Sequence, residues 1–333
     1  MITILIGNQK GGVGKTTLCV ELASFLGQKY RTLGIDLDGQ GHFGKFSGAK
    51  MFEESQNGKI KETVNILNVL EGEADMKEAV QHIEQKKFIN KVVQNMLISE
   101  KKKELSLKKD KIDEKVSNKR EGKRLKDALD KEYQSIVKEI KKEVYETESD
   151  TPGFDIIPAS QKIFKAEKIF VDFDDIFKLA EALEQIEDDY DFTIIDIGPS
   201  RSILQSMSIL AADYIIIPSD REEGGMDGIT QMAIDLKQFK EKGLTEAEIL
   251  GIFLIRSERQ VVQGMIEEDI TKITDAFNIP IFTSFTKNSY LPKEARTARM
   301  SVGEYKPNSP MAIDYYNFYL EVLEKIEKHE RIK

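Results

Sequence analysis

QKGGVGKTT, residues 9–17, lies between the apolar run Ile2–Ile6 and a helical pattern over Thr16–Gln28. A strand, a glycine-rich turn and a helix opening on Lys-Thr-Thr form the context that a phosphate-binding loop requires. The backbone N–H groups of Gly11-Gly12-Val13-Gly14 close around phosphate oxygens, because glycines admit the tight turn. The helix N-terminus adds partial positive charge. Lys15 reaches the β/γ-phosphates of a nucleotide, the Thr16 hydroxyl ligates Mg²⁺, and Thr17 bonds an α-phosphate oxygen. The strict G-x-x-x-x-G-K-T pattern is not met, since Gln9 stands at its first glycine. A second lysine, Lys10, opens the loop.

Two further runs end in acids. Ile35-Asp36-Leu37-Asp38-Gly39-Gln40 puts two carboxylates two residues apart at the end of a strand, so both point the same way. Phe192–Ile197 delivers Asp196, followed by Gly198-Pro199-Ser200. The carboxyl ends of strands are where ligands bind in open α/β sheets. Asp196 therefore reads as the acid that holds Mg²⁺ through water.

Outward from these motifs, β-branched runs recur at 2–6, 31–36, 154–160, 192–197, 214–218 and 249–255. They are nearly all apolar, as strands buried on both faces of a parallel sheet must be. Helical patterns separate them, among them Asp227–Glu241 and Gln263–Phe277. The fold class is α/β: a doubly wound, mostly parallel sheet of the P-loop NTPase type with an inserted α-helical hairpin.

The insertion is residues 84–150, dividing an ATPase domain into 1–83 and 151–333. It holds 19 Lys/Arg and 15 Asp/Glu, no proline and one glycine, Gly122. Its net charge is +4, so the remaining residues carry −13 against the chain's total of −9. Apolar residues recur at helical spacing through Ile89, Val92, Val93, Met96, Leu105, Ile112 and Val116. They resume as Leu125, Leu129, Tyr133, Ile136, Val137, Ile140 and Val144. Two long helices turning near 117–123 and packed antiparallel, coiled-coil-like, account for the pattern. Either the charge only solvates the hairpin, or the hairpin is a contact surface for a protein or nucleic acid.

Composition narrows the function. A net charge of −9 excludes a generally basic nucleic-acid coat but not a local basic patch. One cysteine, Cys19, and three scattered histidines rule out a disulfide framework, a four-cysteine cluster and an evident protein-held metal site. No apolar run approaches a membrane span, and the start lacks the features of a signal peptide. The expected compartment is the cytoplasm.

Q-K-G-G-V-G-K-T-T, I-D-L-D-G-Q-G and Y-D-F-T-I-I-D-I-G-P-S together resemble the ParA/MinD family of deviant-Walker ATPases, and most closely the short, Soj-like ParA proteins. Residues 65–80, 154–160, 211–229 and 284–295 resemble further family segments in the same order. The resemblance implies a slow, partner-stimulated ATPase with ATP and Mg²⁺ as cofactors. It implies an ATP-state homodimer in which Lys10 crosses to the partner's nucleotide. Asp38 then orients the attacking water, Asp36 sits beside the Mg²⁺ shell, and Lys287 and Asn288 lie near the adenine. Gly39 and Gly198 depart from the family's usual prolines and loosen the switch loops.

The ending YYNFYLEVLEKIEKHERIK reads as a helix packed on the domain through Tyr316, Tyr319, Leu320, Leu323 and Ile326, not as a membrane anchor. No N-terminal helix-turn-helix is expected, because the first apolar run begins at Ile2. The chain thus resembles proteins that partition plasmid or chromosomal DNA, bind DNA non-specifically on the nucleoid and answer to a ParB-like partner. Lys237 and Arg259 match basic positions in that family, with Lys240, Lys242, Arg256 and Lys272 near them in sequence. The alternative is a ParA-like ATPase that positions a protein cargo docked on the helical insertion. A biosynthetic ligase on the same fold is the third reading.

Overall fold

The computed structural model describes residues 1–54, 59–115, 119–143, 152–220, 225–256 and 277–331. Its centre is an eight-stranded sheet of order β10-β9-β8-β1-β7-β2-β6-β5. The strands are β1 (Ile2–Ile6), β2 (Thr32–Asp36), β5 (Gln81–Glu84), β6 (Gly153–Ile157), β7 (Phe192–Asp196), β8 (Tyr214–Ser219), β9 (Glu248–Leu254) and β10 (Ile281–Phe285). All neighbouring pairs are parallel except β5 with β6. A separate two-stranded antiparallel ribbon joins β3 (Phe52–Glu54) to β4 (Ile60–Glu62).

Alternation within each strand divides the core. Leu5, Ile195, Ile215 and Ile217 enter one apolar cluster, whereas Ile4, Ile6, Ile194 and Ile216 enter the other. Because helices cover both faces, both side-chain sets are apolar, which is the physical content of the near-continuous runs. The loop helix (Lys15–Leu26) and the C-terminal helix (Pro310–Glu330) cover one face. The helices Ile203–Ala211 and Gly225–Glu241 cover the other.

Several elements differ from the expected ones. The strand expected from Arg31 begins at Thr32. Four strands went unread: the short edge strand β5, the outer strand β10 and the β3–β4 ribbon. Each is partly exposed and mixed in polarity, so none shows the apolar run of a buried strand. The helix expected over 263–277 falls almost wholly outside the described residues. In the C-terminal helix, Tyr316, Tyr319 and Ile326 are buried but Leu320 is 41% exposed. Met311, Tyr315, Phe318 and Val322 complete the buried stripe.

Between β5 and β6 run two helices, Ile89–Lys115 and Lys119–Glu143. Lys109 pairs with Asp130, Lys126 with Asp113, and Gln94 bonds the Lys141 carbonyl, so the helices are antiparallel. Their bases differ. Phe88, Ile89 and Val92 are buried in the core of the sheet domain, and Phe88 packs edge-on against Phe25 at 5.0 Å. The first turn of the first helix is therefore part of the domain's own packing.

Candidate functional site

At the carboxyl ends of β1, β2 and β7 the motif residues meet. β1 pairs with β7 and β7 with β2, and Ile6, Asp36 and Asp196 stand level across the three strands. The loop after β1 turns through Gly12 and Gly14 at φ +80° and +79°. Those values favour glycine, and the helix starts directly afterwards at Lys15. The Lys15 ammonium donates to the Lys10 carbonyl at 3.0 Å, and burial lowers its pKa.

Asn8, which sequence reasoning passed over, anchors the loop. It is fully buried, donates to the Pro218 carbonyl at 2.8 Å and accepts from the Lys10 N–H at 2.8 Å. Gly228 on the helix Gly225–Glu241 is needed there: a Cβ at that position would stand 2.0 Å from the Asn8 side-chain oxygen. Gln9 and Gln205 donate to Asp235 on the same helix, at 3.4 and 2.9 Å. The exposed Arg201 pairs with Asp235 at 2.7 Å. These contacts come from three distant segments, so no local pattern announces them.

The acids are graded by burial. Asp36 is fully buried and accepts from the N–H groups of Asp38 and Gly44, at 3.1 and 3.0 Å. Burial pushes its pKa well up, with Asp196 adding repulsion. Asp196 is also fully buried, and burial raises it to about 7 against the opposing charge of Lys15. Neither of its carboxylate oxygens is in hydrogen-bond geometry with a protein group. A buried carboxylate with both oxygens unpartnered is costly unless something polar meets it. A hydrated divalent cation held with the Thr16 hydroxyl fits that demand. Asp38 is half-buried, accepts from the Gln40 N–H at 2.9 Å and lies beside Gly198, where a Cβ would be 3.6 Å from its carboxyl carbon. At Gly39 a Cβ would meet the Phe164 ring at 2.7 Å.

The phosphate loop and Asp38 open on a cleft of about 550 Å³, behind which Asp36 and Asp196 are buried. Gly11, Gly12, Gly14, Lys15, Thr16, Thr17 and Asp38 line one side, and Lys287 and Asn288 the other. Val13 points away and is buried. Arg256, grouped by sequence with the basic cluster near Lys237, lines this cleft instead, with φ +58°. Lys237 is exposed on its helix, 3.9 Å from Glu241. Arg259 and Lys272 lie outside the described residues. A second cleft of about 510 Å³, at the amino ends of the strands around Tyr190 and His82, contains none of the motif residues.

Lys10 has a definite place. Its ammonium sits 2.8 Å from Asp220, just past the end of β8, and the side chain is 17% exposed. Its side chain thus turns to Asp220, and Lys10 is not among the residues that line the cleft.

An AAA-domain family model matches residues 1–137 and 112–249. The chain belongs to this family, as a ParA/MinD-like P-loop ATPase. Its cofactors are ATP and Mg²⁺, and its general activity is nucleotide hydrolysis. The chromosome partitioning protein ParA of Myxococcus xanthus is 25% identical over 269 residues, covering 80% of this chain and 69% of that one. Among solved structures, Cyanothece McdA without nucleotide aligns over 98% of this chain and 99% of its own at TM-score 0.66 and 18% identity. Cobyrinic acid a,c-diamide synthase of Mycobacterium smegmatis, solved with an ATP analogue and magnesium, aligns over 90% and 93% at TM-score 0.57 and 18% identity. The two structural likenesses establish the shared fold. Among the described residues, no helix is long and apolar enough to cross a membrane.

Proposed function

We propose that this ATPase partitions DNA. The ATPase domain is 1–83 with 151–333, and the hairpin 84–150 is its insertion. Gly11 to Gly14 hold the phosphates, with Lys15 on the β/γ-phosphates and Thr17 on the α-phosphate. Thr16 and Asp196 hold Mg²⁺, with Asp36 beside its water shell, and Asp38 orients the attacking water. Lys287 and Asn288 flank the adenine. ATP draws two copies face to face, and Lys10 completes the partner's site by offsetting charge on the transferred phosphoryl group. The dimer binds DNA non-specifically through Lys237 and Arg259 and so gathers on the nucleoid in the cytoplasm. A ParB-like partner stimulates hydrolysis and resets the cycle.

The second lysine of the phosphate loop carries this reading: Lys10 lies directly before Gly11 of the cleft and is held by Asp220. The likeness to a chromosome partitioning protein adds to it. Gel shifts on random duplex DNA at low salt test the reading. Retardation with Mg-ATP, none without nucleotide, and loss on raising salt are expected. No shift in either state rejects DNA partitioning.

A further inference from the structure

The second hairpin helix has two unlike flanks. At 3.6 residues per turn, Arg120, Lys123, Arg124, Lys131 and Lys138 fall within about 100° of arc. All five are exposed. Glu121, Glu132 and Glu139 share the opposite flank, also exposed. The seam between them, through Leu129, Tyr133, Ile136, Val137 and Ile140, is half-buried against the first helix. If the charge served only solubility, the signs would be interspersed rather than segregated by flank.

The cationic flank extends about 27 Å from Arg120 to Lys138 at 1.5 Å per residue. Asp127 is the one acid within it, and Gln134 fills the gap between Lys131 and Lys138. No apolar side chain lies on this flank. A protein partner needs a buried aromatic or aliphatic anchor, and a membrane surface needs an apolar face to insert. A row of lysine and arginine without either is suited to a regular array of phosphates. The base of the hairpin is fixed, since Ile89 and Val92 are in the domain core and Asn95 bonds Asn308 at 2.5 Å. The row is therefore held at a set orientation to the nucleotide domain.

We propose that this flank is a second nucleic-acid contact, a rail that lies along the phosphate backbone of duplex DNA. The proposal rests on the DNA reading above and adds a surface to it. In an ATP-bound dimer two rails act together, and linkage of two weak sites raises apparent affinity without new contacts.

The experiment is fluorescence anisotropy with a random duplex of roughly 30 base pairs, in Mg-ATP, over a salt series. It compares the wild-type chain with Arg124→Gln/Lys131→Gln and with Glu132→Gln on the opposite flank. Glutamine keeps helix propensity, and unchanged circular dichroism and ATP turnover certify each variant. Expected is at least a ~10-fold weaker Kd at about 50 mM salt for the double variant. Its slope of log K against log salt should be shallower by about 2, one unit per lost phosphate contact. Glu132→Gln should bind as tightly as wild type or tighter. If wild type binds DNA and the double variant matches it in Kd and slope, the rail is wrong while DNA partitioning stands. If wild type binds no DNA, the partitioning reading and the rail both fall. Binding of phosphatidylglycerol vesicles in place of DNA likewise rejects both.

Discussion

Single residues show where local pattern and packing part company. Lys15, Asp36 and Asp196 declare themselves by motif. Glu21 does not: in sequence it is one acid on the loop helix, and in the structure it is fully buried. Its carboxylate accepts from the N–H groups of Val302 and Gly303, at 2.6 and 3.4 Å, and Tyr315 is its titratable neighbour. Burial raises its pKa to about 8, above the 4.5 of an ordinary glutamate. A raised folded-state pKa means that the native state holds the proton more tightly than the unfolded chain. The stabilisation is complete below about pH 4.5 and is lost as pH rises through about 8. Glu21→Gln keeps an acceptor for both N–H groups without the titration. Its melting temperature should fall less than that of wild type between those pH values, and parallel pH curves would refute a protonated Glu21.

At the scale of elements, the strongly periodic or wholly apolar ones were legible and the marginal ones were not. β1, β2, β7, β8 and β9 are buried runs whose pattern admits little else. β5 and β10 sit at the sheet's edges, where half of each strand faces solvent and the apolar run dissolves. The C-terminal helix was legible as a packed helix, but its true stripe includes Phe318, which closes an aromatic cluster with Phe253 at 4.2 Å and Phe282 at 5.2 Å. Phe318 is 1% exposed. Phe318→Ala should cost about 3–5 kcal/mol, read from the denaturation midpoint at unchanged slope. A cost below about 1 kcal/mol would mean that the helix is not fastened there.

On the scale of the whole molecule, the site consists of loops carried by three adjacent strands, and the proposed role of Lys10 requires a second copy. Lys10→Ala should bind ATP with near wild-type affinity, yet fail to double in mass by light scattering with Mg-ATP and lose turnover. Unchanged turnover would refute a trans role for Lys10. The sequence by itself determined the six inner strands of the sheet, the phosphate loop and the acids, because backbone sterics, buried-strand composition and phosphate chemistry are local constraints. Only the tertiary structure decided that Asn8 fastens the loop to β8 and Asp235 fastens it to the helix behind it, that Arg256 belongs to the cleft, and that Lys10 rests on Asp220. The hydrogen bonds among them join residues more than two hundred positions apart. They exist because the sheet order brings β8 and β9 to one side of β1, which no local spacing encodes.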